Sequence, residues 1–85
     1  MANLLDGLKY FSATIIEQEE LSPPVEIVLR APVTQNPILR MTATGKNAEQ
    51  VWMFDMSGGG TLPSGIYSVE FTDKQKKRLL RDFRV

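Results

Sequence analysis

The sequence predicts a β-dominated, antiparallel fold. Four windows alternate apolar and polar residues with period two. Those windows are rich in β-branched and aromatic residues, and short segments carrying Gly, Pro or Asn separate them. Five strands joined this closely on 85 residues leave no room for crossover helices. The expectation is a small antiparallel five-stranded barrel or a strongly bent sheet, with short helical segments at its ends.

Residues 3–8 read as the start of a short helix. Asn3 is a usable N-cap, Asp6 suits the first turn, and Leu4, Leu5 and Leu8 share a face. Residues 9–18 carry Tyr10, Phe11, Thr14, Ile15 and Ile16 in the density expected of a strand. Leu21, Ser22, Pro23 and Pro24 break the chain, because two prolines cannot continue a ladder. Residues 25–30 place Val25, Ile27 and Leu29 on one face. The stretch 31–37 holds Pro32, Asn36 and Pro37 and reads as a hairpin tip. In residues 38–44, Leu39, Met41 and Ala43 oppose Arg40, Thr42 and Thr44. Residues 51–56 are apolar on nearly both faces and predict a central strand. Residues 57–64, rich in Gly, form a loop. Residues 66–71 turn Tyr67, Val69 and Phe71 inward, with Ser68 and Glu70 outward.

The last segment, 72–85, has two readings. Thr72, Asp73, Lys74 and Gln75 match a capping box and favour a helix, with Lys74, Lys77, Arg78 and Arg81 on one face. As a strand it places Leu79, Arg81, Phe83 and Val85 on one face, which then holds a charge. The whole of 1–85 reads as one domain, with 1–8 a short N-terminal segment and 72–85 a basic C-terminal one.

Composition excludes much chemistry. The chain has no Cys and no His. Disulfides, thiolate metal sites and Cys nucleophiles are therefore out, as are His general bases and His ligands. No phosphate-loop spacing surrounds Gly58, Gly59 and Gly60, or Gly45 and Lys46. Carboxylate pairs exist, such as Glu19 with Glu20 or Asp55 with Glu70, and Asp55, behind Val51–Phe54, is the carboxylate placed nearest a dry wall, but a salt-bridged or edge-exposed Asp is far more common than a catalytic one. The sequence reads as a non-enzyme without cofactor or metal. No apolar run is long enough to span a membrane, and residues 1–7 lack the features of a secretory signal. The Cys-free composition suits the cytoplasm.

Net charge is zero, with ten basic and ten acidic residues. The basic groups are unevenly spread. Residues 74–85 hold Lys74, Lys76, Lys77, Arg78, Arg81 and Arg84 against Asp82 alone, a balance of +5. Such an end is a candidate polyanion contact. Arg30 and Arg40 flank the 31–37 tip on the polar face of their strands and join that candidate set. Glu17, Glu19 and Glu20 form an acidic cluster able to pair with the basic end, in the same chain or in a partner.

The run Leu62-Pro63-Ser64-Gly65-Ile66-Tyr67-Ser68-Val69-Glu70-Phe71 resembles a late strand of the filamentous-phage single-stranded-DNA-binding proteins. Residues 30–38 resemble their DNA-binding hairpin, although no Lys or Arg lies between Arg30 and Arg40, and Ile38 stands at the aromatic position. The resemblance implies an OB-type barrel, a homodimer, and binding of single strands with little sequence preference. It implies Arg30 and Arg40 as strand-binding residues. If phage-encoded, the protein would work in the host cytoplasm.

Two functions follow. One is single-stranded nucleic-acid binding through Arg30, Arg40, Lys74, Lys76, Lys77, Arg78, Arg81 and Arg84. The other is a phage-type protein-interaction module (inhibitor, adaptor or virion component), docking on a protein partner through the Leu4, Leu5 and Leu8 end. In either case an exposed strand edge predicts a homodimer.

Overall fold

Leu8, Phe11, Ser12, Ile15 and Ile16 recur at helical spacing, and the chain folds this stripe as one face of a helix, α1 (Leu4–Gln18). The computed structural model describes residues 4–45, 52–56 and 62–85, with side chains for 6–45 and 62–85. The expected strand over 9–18 is thus corrected to helix, and the short helix at 3–8 to the beginning of α1. The β-branched and aromatic content of 9–18 yields to packing, because Leu8, Ile15 and Ile16 are all buried in the core.

α1 ends in a Schellman motif. Leu21 N donates to Ile16 O at 3.0 Å and Glu20 N to Glu17 O at 3.3 Å, with Glu20 left-handed at φ 53°. The Pro23–Pro24 peptide bond is cis. The remainder is antiparallel sheet, comprising β1 (Val25–Arg30), β2 (Pro37–Ala43), β3 (Trp52–Met56), β4 (Ile66–Thr72) and β5 (Arg78–Arg84), in the order β3-β2-β1-β4-β5. β3 and β5 are the two ends of that order. The sheet is therefore open, which corrects the closed barrel. The reason is that α1, rather than a second layer of strands, covers the inward face.

Alternation places β1, β2 and β4 as expected. Val25, Ile27, Leu29, Leu39, Met41, Ala43, Tyr67, Val69 and Phe71 are buried in one cluster with Leu8, Ile15, Ile16 and Leu21. β3 is corrected from a central strand to an edge. The side chains of 52–56 lie outside those described, as does the face of Leu4 and Leu5. Residues 57–61 of the loop, and Lys46, also lie outside the described residues. Leu8 is fully buried, which removes it from any exposed docking end.

The expected C-terminal helix is corrected to strand β5. Leu79, Arg81, Phe83 and Val85 face inward and are partly buried, while Arg78, Leu80, Asp82 and Arg84 are exposed. Phe83 meets Phe11 of α1 with ring centroids 5.2 Å apart. Asp73 organises the turn before β5. Its Oδ1 accepts from Gln75 N at 2.9 Å and Lys77 N at 2.8 Å. The capping-box residues are therefore used in a hairpin turn, with Asp73 in the role assigned to Thr72.

Candidate functional site

α1 covers one face of the sheet, and no described element covers the other. Strand registers define two rows across that uncovered face. Arg40, Val28, Glu70 and Leu80 make one; Thr42, Glu26, Thr72 and Arg78 make the next. Arg30, Ser68 and Asp82 follow in a third. Arg40 also faces Asp55 of β3 in register.

The eight candidate cations do not form one track. Arg30, Arg40, Arg78 and Arg84 lie on the uncovered face. Lys74, Lys76 and Lys77 are exposed in or beside the β4–β5 turn. Arg81 belongs to the opposite face, toward α1.

Among the described residues, carboxylates pair with four of the eight. Glu70 sits between two arginines, bonded to Arg30 Nη2 at 3.1 Å through Oε1 and to Arg78 Nη2 through Oε2. The Arg78 hydrogen bond, against the opposing effect of burial and with help from Arg30, holds the Glu70 carboxyl below its ordinary value. Arg30 is also committed to its own hairpin, donating from Nη1 to Gln35 O at 3.2 Å. Glu26 lies 4.0 Å from Arg40 Nε, both side chains being more than half exposed, so this pair holds weakly. Glu19 Oε2 lies 3.4 Å from Arg81 Nη2. Lys77 Nζ donates to the Glu19 carbonyl at 3.2 Å. Of the acidic cluster, Glu19 therefore pairs with the basic end inside the same chain.

Sequence reasoning passed over Glu70 and Glu26 as partners. Their outward positions were legible, but a cross-strand partner depends on strand order. β4 lies between β1 and β5, and only that order puts one carboxylate beside guanidinium groups forty residues behind it and eight ahead. Lys74, Lys76 and Arg84 have no ion-pair partner among the described residues.

The uncovered face also carries apolar surface. Leu80 is 62 % exposed and Ile66 51 %. None of its described positions is aromatic. Among the described residues no group of three or more acidic side chains is placed to hold a metal ion. No described helix is long and apolar enough to cross a membrane. No protein-family model, curated protein or solved structure matches the chain.

Proposed function

We propose that the protein is a non-enzymatic module that works by protein–protein contact through the uncovered face and free edge of its sheet. One observation carries this reading. Arg30 and Arg78 share Glu70, Arg40 lies beside Glu26 and Arg81, on the opposite face, beside Glu19, while Leu80 and Ile66 stand exposed on the uncovered face. Arginines already paired with carboxylates offer less counterion release to a phosphate backbone, which supplies most non-specific nucleic-acid affinity. A face lacking aromatic platforms among its described positions is equally poor at stacking bases. Mixed charge around an apolar centre suits a protein surface.

The second reading, single-strand binding, is favoured by Lys74, Lys76 and Arg84, whose charges have no ion-pair partner among the described residues. A single-stranded-DNA column at roughly 20–50 mM salt, where the phosphate contribution is strong, separates the two. The protein is expected in the flow-through. Retention that weakens with salt, and that Lys74→Glu, Lys76→Glu and Arg84→Glu together abolish, would overturn the protein-contact reading in favour of the nucleic-acid one.

A further inference from the structure

The edge of β5 has a defined hydrogen-bonding phase. Gly65 N donates to Val85 O at 3.1 Å, and Val85 N returns a bond to Gly65 O at 2.9 Å. Residues 65 and 85 are thus a hydrogen-bonded antiparallel pair. Alternation along the register makes Tyr67 with Phe83, Val69 with Arg81 and Phe71 with Leu79 the next such pairs. The N–H and C=O groups of Arg78, Leu80, Asp82 and Arg84 consequently point away from β4. No described strand lies beyond them. These are also the residues whose side chains are exposed on the uncovered face.

We infer that β5 pairs antiparallel with β5 of a second copy, about a two-fold axis at Leu80, joining two sheets edge to edge. Three two-fold registers overlap five or more residues of the Arg78–Arg84 strand, with the axis at Leu80, Arg81 or Asp82. An axis at Arg81 sets Arg81 against itself and Arg78 against Arg84. An axis at Asp82 sets Asp82 against itself. Like charges directly opposite are destabilising. The axis at Leu80 sets Arg78 against Asp82 twice and Leu80 against Leu80 between them. Each of these is a hydrogen-bonded pair in the phase fixed by Gly65 and Val85. Charge complementarity therefore selects a second copy, in this register. The interface is isologous and closes at two subunits.

Arg81 stands at this edge. Its Nη1 donates to the Leu80 carbonyl at 2.9 Å, one of the outward acceptors. Pairing replaces that bond with the N–H of the second copy's Leu80. The guanidinium keeps Glu19, 3.4 Å away, when it leaves.

This inference rests on the protein-contact reading, and the two fail differently. Failure of that reading appears as single-strand binding. Failure of this one appears as a wrong mass or a wrong cross-link. The native chain has no cysteine, so introduced thiols report alone. A hydrogen-bonded pair places Cα atoms about 5.5 Å apart, inside disulfide range. Leu80→Cys is expected to give a covalent dimer on mild oxidation, while Asp82→Cys and Arg84→Cys, lying off the axis, do so far more slowly. Unmodified protein is expected to show a concentration-dependent dimer mass in sedimentation equilibrium. Leu80→Arg, at an exposed position, should keep the native circular dichroism spectrum and weaken dimerisation roughly tenfold or more. A monomer up to about 500 μM, a concentration that would reveal even weak pairing, overturns the inference. So do equal cross-linking at the three positions and a dimer that Leu80→Arg leaves intact.

Discussion

Asp73 holds Ser22 across 51 residues of sequence. Its Oδ2 accepts from Ser22 N at 3.1 Å, and Lys74 N returns a bond to Ser22 O at 2.9 Å. The same carboxylate shapes the β4–β5 turn through Oδ1. One buried side chain therefore fixes both the turn that launches β5 and the segment that follows α1. Asp73→Ala removes three hydrogen bonds at once and is expected to lower Tm by roughly 10–20 °C. Differential scanning calorimetry at pH 7 checks this, and an unchanged Tm would refute the role.

Acid should destabilise the fold through two carboxylates. Burial works to raise the Asp73 pKa, but the N–H groups of Ser22, Lys77 and Gln75 outweigh it, and the net shift is downward. Glu70 is also lowered, chiefly by its hydrogen bond to Arg78. A folded-state pKa below the unfolded one gives stability that is present above the unfolded value and lost as pH falls through the folded value. Ordinary carboxylate values are about 3.9 for Asp and 4.3 for Glu. Tm should therefore hold from neutral pH to about pH 5 and fall below about pH 4. Glu70→Gln combined with Asp73→Asn should start lower at pH 7 and flatten that fall. An acid limb equally steep in the double variant would assign it elsewhere.

Phe71 is fully buried beneath α1. Phe71→Ala is expected to cost about 3–5 kcal/mol, and Met41→Ala about 2–5 kcal/mol. Urea unfolding measures both. Losses below about 0.5 kcal/mol, the range of ordinary surface changes, would show that the strand register is wrong.

Ser12 is fully buried on the sheet-facing side of α1, and its Oγ has no hydrogen-bond partner among the described residues. An unsatisfied hydroxyl costs about 1–3 kcal/mol, and alanine removes it while keeping the volume nearly filled. Ser12→Ala is expected to be neutral or to stabilise by up to about 1 kcal/mol. A clear destabilisation would mean that the hydroxyl has a partner in solution.

Val33, at the tip between β1 and β2, is 95 % exposed and left-handed at φ 65°. A β-branched residue adopts this region at a cost of about 1–2 kcal/mol, and asparagine tolerates it. Val33→Asn should therefore raise stability by about 1 kcal/mol in the same urea measurement. No gain would indicate that the tip relaxes out of the left-handed region.

Local chemistry alone made β1, β2 and β4 legible. Each sends one alternating set to the core, Val25, Ile27 and Leu29, then Leu39, Met41 and Ala43, then Tyr67, Val69 and Phe71, and the intervening residues are mostly polar, with Val28 a buried exception in β1. The basic C-terminal end and the outward direction of Arg30, Arg40 and Glu70 were legible for the same reason. Tertiary structure decided the rest. Residues 10–16 carry strand-forming residue types on a helical spacing. The helix wins because Leu8, Ile15 and Ile16 then reach one sheet face together. β5 hid behind Arg81, a charge on the inward face, which folding tolerates because Glu19 arrives from the end of α1. Thr72 and Asp73 began a plausible helix until Ser22, distant in sequence, supplied Asp73 with a partner. Partnership of charges depends on strand order, a long-range property that period-two alternation does not encode. Composition therefore left the basic residues open to a polyanion, and the order β1-β4-β5 gave Arg30 and Arg78 to Glu70.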